Sequence, residues 1–289
     1  MVLYAVPGRD PAFFCVTRMP ESPTLQPLDT FPLAARRGIR GVFTDIDDTL
    51  TTDGRLTANA FAALHDLHAA GLLVVPITGR PAGWCDHIAR MWPVDAVVGE
   101  NGAFYFHYDR AKHRMTYRFD QPDAERAENR RRLGALLDRI LEGVPGCAVA
   151  SDQPYRETDL AIDFCEDVPR LPTAAVDRIV ELFEEAGATA KISSIHVNGW
   201  YGTFDKLTMA RHLMAEVFGI DLDREKQSFV FVGDAPNDSP MFGFFDHAVG
   251  VANVLDFRDH LDAEPAYITS KTGGAGFAEV AAALLAAKD

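Results

Sequence analysis

Short apolar runs alternate with helix-like segments at both ends of this 289-residue chain. The runs at 41–45, 72–77, 229–232 and 248–251 have the length and flanks of strands that are buried on both faces. Segments with helical spacing lie between them, such as 56–71, 206–218 and a closing helix after a glycine-rich turn. Since this alternation builds a parallel sheet covered by helices on both sides, we predict an α/β, doubly wound, Rossmann-like core.

The middle of the chain has a different pattern. Helices are predicted near 123–142 and 173–187, and each is followed by two short strands, near 146–150 and 159–164 and near 189–193 and 195–198. We therefore predict an inserted α+β cap domain at 107–199, between catalytic core segments at 39–106 and 200–289. Residues 1–38 contain six prolines and are predicted to be an N-terminal extension that is loosely attached.

Bulk properties exclude several classes of protein. The formal net charge is −14, and no basic patch stands out, so we expect no nucleic-acid partner. No apolar run reaches the ~18–20 residues of a membrane span. The four cysteines are far apart and form no CxxC pair, which is typical of reduced thiols in a cytoplasmic protein. The negative charge also means that a site for an anion must be made attractive locally, by a metal and a few cations.

Two acidic segments follow predicted strands. Asp45 and Asp47 end the first strand, and they face the same side because their spacing is two residues. Asp234 and Asp238 follow the strand at 229–232. Ligands bind at strand carboxyl ends in open α/β sheets, and paired carboxylates there need a positive partner. Mg²⁺ is the positive partner that we predict, because it prefers oxygen ligands and binds phosphate.

Two further segments fit a phosphate site. Thr78-Gly79-Arg80 follows the strand at 72–77, where a hydroxyl and backbone N–H groups can hold phosphate oxygens, although the threonine is equally typical of a helix N-cap. Lys206 can balance the charge of carboxylates and phosphate. Asn237 and Asp238 can orient waters, bind the metal or hold this lysine.

In order along the chain, DIDDT, ITGR, a distant lysine and GDAPND resemble the four motifs of the haloacid dehalogenase (HAD) superfamily, over about 41–106 and 200–289. The segment 99–102 (GENG) resembles the approach to the cap in the Cof-like, type IIB branch. The segment 199–206 resembles eukaryotic-type phosphomannomutases and sugar-phosphate phosphatases. Asp48 departs from the family pattern, because glycine is commoner there, and the cap has no close match.

The resemblance implies a phosphatase that attacks a small phosphate ester, such as a sugar phosphate, with Asp45 as nucleophile. It implies Asp47 as general acid and base, Thr78 and Lys206 as phosphate ligands, and Mg²⁺ on Asp45, the Asp47 carbonyl and Asp234. The candidate metal ligands are Asp45, Asp47, Asp234 and Asp238. The candidate substrate-binding residues are Thr78, Gly79, Arg80, Asn101, Lys206 and Asn237 in the core, with Arg156, Lys191, His196 and Asn198 in the insert.

Two alternative functions remain at this stage. A phosphomutase of the phosphomannomutase type would use the same nucleophile. A receiver-like phosphoacceptor would use similar residues without catalysis, although receivers lack the second aspartate and the cap. The sequence does not define the oligomeric state.

Overall fold

A computed structural model describes residues 25–288. Its central feature is a six-stranded sheet of order β1-β15-β14-β13-β2-β5, in which every neighbouring pair is parallel. The strands are β1 (Gln26–Pro27), β2 (Gly41–Thr44), β3 (Thr51–Thr52), β4 (Arg55–Leu56), β5 (Leu73–Pro76), β6 (Val97–Gly99), β7 (Phe104–Asp109), β8 (Arg114–Phe119), β9 (Ala148–Val149), β10 (Leu160–Asp163), β11 (Thr189–Ile192), β12 (His196–Trp200), β13 (Phe229–Gly233), β14 (Ala248–Gly250) and β15 (Tyr267–Ile268).

Helices cover both faces of this sheet, as the alternation predicted. The helices are α1 (Leu33–Gly38), α2 (Ala58–Ala69), α3 (Ala82–Met91), α4 (Asp123–Gly143), α5 (Thr173–Glu185), α6 (Lys206–Phe218), α7 (Leu222–Glu225), α8 (Ser239–Phe244) and α9 (Gly273–Leu285). The predicted α/β, doubly wound class is therefore confirmed. Within the described residues, no helix combines the length and the apolar character needed to cross a membrane.

Strand β2 shows how the core is built. All of its residues are buried, and alternate side chains point to opposite faces of the sheet. Val42 packs into the apolar cluster under α2, α3 and α9, whereas Phe43 packs into the cluster under α6 and α8. A strand covered on both sides has no polar face, which is why it reads as an unbroken apolar run.

The chain changes direction across the sheet between β2 and β13. From β2 it moves outward to β5, and it later returns to form β13 on the other side of β2. Loops at the carboxyl ends of two such strands diverge and leave a crevice, which is the usual ligand position in open α/β sheets. The two acidic segments of the sequence follow these two strands.

The core sheet continues beyond β5. Ile77 pairs with Val98 in parallel, and β6 then pairs with the antiparallel hairpin of β7 and β8. The predicted start of the cap at residue 107 falls inside β7 and is corrected, because the whole hairpin belongs to the edge of the core. We place the start between β8 and α4.

The inserted domain has the predicted sequence of elements. Its four-stranded antiparallel sheet has the order β11-β12-β10-β9, and its own apolar cluster lies under α4 and α5. Val197 of β12 points into that cluster. His196 and Asn198 flank it in the strand, so they point to the opposite face, which is turned toward the core.

The segment before β2 is a part of the core, which corrects the predicted loose extension for residues 26–38. Strand β1 pairs with β15 at the edge of the sheet. Phe31 is buried, with its ring centroid 4.8 Å from that of Tyr267. Apolar side chains such as this one outweigh the prolines, which still suit an edge strand. The prediction for residues 1–24 lies outside the described residues.

Candidate active site

The crevice between β2 and β13 holds a cluster of buried charged groups. The backbone N–H of Asp45 donates to the carbonyl of Val232 at 2.8 Å, which fixes the first acidic segment beside the second. Asp45, Asp234 and Asp238 each offer an oxygen, and these three oxygens lie within 4.8 Å of one another. Lys206, at the first residue of α6, donates from Nζ to Asp45 and to Asp238, at 2.6 Å each. The sequence motifs thus converge on one point.

The loop after β13 is shaped around Asp238. Its Oδ2 accepts hydrogen bonds from the backbone N–H groups of Asp234 at 3.0 Å and Ala235 at 3.2 Å. A side chain on Gly233 would collide with this same carboxylate. Glycine at this position therefore permits the tight loop that presents Asp234 and Asp238 together.

Burial raises the free energy of the ionised carboxylates in this cluster. It raises the pKa of Asp45 to about 8, since the neighbouring carboxylates of Asp238 and Asp47 offset part of the help from Lys206. Burial, together with Asp45 and Asp238, also holds the pKa of Asp234 well above its ordinary value. A cation in the cluster would remove this cost.

The cluster fits a divalent cation. Its three carboxylates face one ammonium group, which leaves a deficit of two positive charges. All three donors are hard oxygen ligands of the kind that Mg²⁺ prefers. Thr49 Oγ1 donates to Asp234 at 2.9 Å, and Asn253 Nδ2 donates to its other oxygen at 2.9 Å. Such outer hydrogen bonds hold a ligand in its orientation.

The carboxylate of Asp47 does not belong to this cluster. Both of its oxygens accept from Arg80, with distances of 2.8 to 3.0 Å from Nε and Nη2. The prediction of Asp47 as a metal ligand is thus not met by its side chain, whereas the backbone carbonyl stays a prediction. Asp47 and Asp45 border the same small cavity, but the carboxylate of Asp47 is turned toward Arg80.

The backbone conformation at position 48 explains why aspartate can replace the glycine that is commoner there in the family. Its φ is 53°, in the left-handed region where glycine is the easiest residue. Aspartate is among the side chains that tolerate this conformation best. The backbone N–H of Asp48 donates to Thr51 Oγ1 at 2.9 Å, which closes the turn after the nucleophile candidate.

Arg80 also joins the core to the cap. It donates to Glu166, at 2.6 Å from Nη2, and to Asp152, at 3.3 Å from Nη1. Burial tends to raise the pKa of Glu166, but the contacts with His196 and Arg80 outweigh it and lower the pKa to about 2. His196 Nε2 lies 2.9 Å from Glu166, outside hydrogen-bond alignment. Both carboxylates come from the cap.

A small cavity of about 10 Å³ lies over this arrangement. It brings predicted residues of both domains together. The bordering residues are Asp45, Asp47, Gly79, Arg80 and Asn237 of the core, with Ser193, Ile195, His196 and Asn198 of the cap. The cap loop thus lies directly over the nucleophile candidate, and a ligand larger than a water molecule requires it to move.

Of three further predicted polar residues, Asn237 borders this cavity, whereas Thr78 and Asn101 lie behind Gly79 and Arg80 of its wall. Thr78 is fully buried, and its Oγ1 accepts from the backbone N–H of Arg80 at 3.0 Å. The alternative role as a helix N-cap is wrong, because α3 begins at Ala82 and its N-cap residue is Pro81. Asn237 Nδ2 donates to Asn101 Oδ1 at 2.9 Å. Asn101 Nδ2 and Asn237 Oδ1 are buried without a hydrogen-bond partner among residues 25–288. These two atoms are available to a ligand at this place.

Two predicted cap residues have other roles. The Arg156 guanidinium donates hydrogen bonds to the carboxylates of Asp152 and Asp159 and, at 2.8 Å, to the carbonyl of Gly79. Arg156 therefore connects cap and core, and its assignment as a substrate ligand stays a prediction. Lys191 Nζ lies 3.3 Å from Asp262 at the surface. The polar patterning of the sequence does not distinguish such roles from ligand contacts.

Glu100 is a second connection between the domains. Its carboxylate is buried in the core, and it accepts from three backbone N–H groups, those of Ala82, Glu157 and Thr158, at 2.7 to 3.0 Å. The Thr158 hydroxyl also donates to it. Two of these residues lie in the cap, so one carboxylate joins both domains.

Glu100→Gln is expected to lower the free energy of unfolding by about 2–4 kcal/mol, because the amide opposes N–H donors with its own NH₂ group. Urea denaturation followed by circular dichroism measures this. Glu157→Gln is the matched control, since that side chain is exposed and pairs with Arg130 at the surface, and it should change stability by less than about 0.5 kcal/mol. An equal effect of the two substitutions would contradict the role of Glu100.

Sequence reasoning missed several contributors to the site. Thr49 was inside a recognised motif but had no assigned role. Asn253 lies three residues after the last residue of β14, so a polar residue near a strand end was the signal for it. Asp152 and Glu166 had no signal, because only the closed cap brings them to Arg80.

Comparisons with known proteins agree with this geometry. Residues 42–127 match the profile of a family described as haloacid dehalogenase-like hydrolase. No protein of curated function matches the sequence. A HAD/COF-like hydrolase from Plasmodium vivax shares the fold with a TM-score of 0.61 and 16% identity, over 88% of this chain and 99% of that one.

Two sugar phosphatases share the fold as well. The sucrose-phosphatase of Synechocystis sp. PCC6803, solved with sucrose and phosphate, has a TM-score of 0.59 and 15% identity, over 85% of this chain and 98% of that one. The subclass IIB sugar phosphatase BT4131 has a TM-score of 0.54 and 15% identity, over 84% and 96%. Residues 42–127 thus match the haloacid dehalogenase-like hydrolase family, and the chain shares its fold with a HAD/COF-like hydrolase and with a subclass IIB sugar phosphatase.

Proposed function

We propose that this protein is a Mg²⁺-dependent phosphatase of a small phosphorylated metabolite, a sugar phosphate in particular, and that it acts through an aspartyl phosphate on Asp45. The observation that supports this best is the separation of two carboxylates. Asp45 lies in a cluster suited to a cation, whereas Asp47 is held outside it by Arg80. A nucleophile and an acid–base group need these different surroundings.

The first step is attack on phosphorus by a carboxylate oxygen of Asp45. The P–O bond to the leaving group breaks, and Asp47 gives its proton to the departing oxygen. In the second step Asp47 takes a proton from water, which attacks the phosphorus and releases Asp45. Lys206 stays beside Asp45 and balances the negative charge throughout.

Asp45, Asp234 and the backbone carbonyl of Asp47 would hold the ion, and Asp238 would anchor Lys206. When bound, Mg²⁺ supplies positive charge that lowers the repulsion between a carboxylate and a phosphate anion. Asn101 and Asn237 offer unpartnered polar atoms to the phosphate beside this cluster. The remaining candidates, Thr78, Gly79 and Arg80, would position it through the loop after β5.

The proposed substrate class rests on the relatives and on the cap. Two proteins with this fold are described as sugar phosphatases, one of them with sucrose and phosphate bound. His196 and Asn198 face the cavity from the cap and can hydrogen-bond hydroxyl groups of a substrate. A panel of phosphorylated metabolites with Mg²⁺, assayed for inorganic phosphate, tests the proposal. Conversion to an isomeric phosphate without phosphate release would favour a mutase, and hydrolysis of no ester would refute the proposal.

Removal of the metal is expected to stop turnover, and Mg²⁺ should restore it. The ion should also stabilise the fold, by about 2.7 kcal/mol at a hundredfold excess over its Kd. Asp234→Asn should lose this stabilisation, because a neutral amide is a weaker ligand for Mg²⁺ than a carboxylate. Thermal denaturation with and without Mg²⁺ measures both effects. Full activity after exhaustive chelation would remove the metal from the mechanism.

A further inference from the structure

A second cavity of about 510 Å³ lies beside Arg80, outside the acidic cluster. Its walls come from the β3–β4 hairpin, from α3 and from the cap. The aromatic residues Trp84, Trp92 and Tyr155 border it, together with the apolar side chains Ile46, Leu56 and Ile88. Trp84 is 42% exposed and Tyr155 58%, which is unusual for such large side chains around a concave surface. A volume of this size accommodates a small organic ligand.

The position of this aromatic pocket relates it to catalysis. Asp47 and Arg80 border both the aromatic pocket and the small cavity over Asp45. A larger cleft of about 560 Å³ instead borders Asp48 and Asp234, on the side of the acidic cluster. A leaving group must lie next to the group that protonates it. The aromatic pocket meets this condition through Asp47.

We propose that the aromatic pocket binds the leaving group of the substrate, and that this group is a neutral ring with an apolar face. This rests on the proposed function, since it takes Asp47 as the acid. The bordering residues that carry a permanent charge are Asp47 and Arg80, which pair with each other, and His87 is the other ionisable residue of the wall. The pocket therefore offers no unpaired permanent charge to an ionised group, whereas flat aromatic walls favour the face of an aryl or a sugar ring.

The cap completes the pocket when it closes. Tyr155 ends a short 3₁₀ segment of the cap, Gln153–Tyr155, and packs against Gly83 of α3. A side chain on Gly83 would lie 3.0 Å from the Tyr155 Cβ, so the absence of one allows this approach. The next residue, Arg156, fixes the segment through the Gly79 carbonyl. Cap closure thus places an aromatic wall beside the acid.

Binding of the ring alone provides a test that needs no turnover. Saturation-transfer NMR in EDTA would use phenol and methyl glucoside as separate probes, which distinguish an aryl from a sugar ring. We expect a signal from at least one probe, reduced in Tyr155→Ala and in Trp84→Ala but retained in Met91→Ala. Met91 lies at the end of the same helix and is 68% exposed, so it controls for loss of an exposed apolar side chain. No signal from either probe would overturn the proposal.

The kinetic test compares phosphate esters of these rings with ethyl phosphate. Tyr155→Ala should raise KM for a ring ester about three- to tenfold, and change it for ethyl phosphate less than about twofold. Tyr155 is the better variant here, because Trp84 also stacks on Arg80, 4.4 Å from the ring centroid. An equal rise for both substrates would show a structural role and overturn the proposal. If the wild type hydrolyses no ester but a ring still binds, the proposed function and the leaving-group assignment both fail, while the pocket remains a ligand site.

Discussion

Asp45→Asn is expected to lower turnover by at least about 10³-fold, the scale on which loss of a nucleophile acts. The amide has the same shape as the carboxylate, and its oxygen can still accept from Lys206. The fold should therefore persist, and stability should not fall, because the substitution removes one of several crowded negative charges. Phosphate release under saturating Mg²⁺ measures turnover, and thermal denaturation checks the fold.

Two controls make this result interpretable. Asp66→Asn, on the exposed face of α2, is the same chemical change away from the site and should retain full activity. Mass spectrometry of acid-quenched enzyme should detect a phosphorylated protein in the wild type and none in Asp45→Asn. More than a small residual rate in a preparation free of other phosphatases would exclude Asp45 as the nucleophile.

Asp47→Asn should slow the first step by about 10²–10⁴-fold for a sugar phosphate. A sugar alkoxide is a poor leaving group and needs the proton, whereas nitrophenolate leaves readily. The first step with p-nitrophenyl phosphate should therefore slow only mildly. The second step needs a base with either substrate, so phosphorylated Asp45 should accumulate. A rapid burst of nitrophenolate followed by slow turnover is the expected signature.

The structure adds a control for this experiment. Both oxygens of Asp47 accept from Arg80, so proton transfer requires Arg80 to release at least one of them. Asp47→Asn therefore also disturbs Arg80. Glu166→Gln weakens another partner of Arg80 without changing Asp47, and it should affect both substrates alike. Equal slowing of the first step for both substrates in Asp47→Asn would place this residue in the scaffold instead.

Local patterns predicted most of the fold. A strand covered on both faces has to be apolar throughout, so β2, β5, β13 and β14 were visible as short runs. Helical spacing located α4 and α5 in the cap almost to the residue. The β7–β8 hairpin was missed, because its edge strand is half exposed and has no strong apolar run. Strand β1 was missed because prolines suggested a loose arm.

The sequence by itself determined which residues follow the strands, and so which carboxylates meet in the crevice. Strand carboxyl ends converge in a parallel sheet, so Asp45 and Asp234 had to be neighbours once the topology was known. Only the tertiary structure decided the relation between cap and core. Arg80 meets Glu166 and Asp152, and Glu100 meets Thr158, across gaps of more than fifty residues. Such pairings depend on how two separately folded domains close on each other, and neither periodicity nor spacing encodes that.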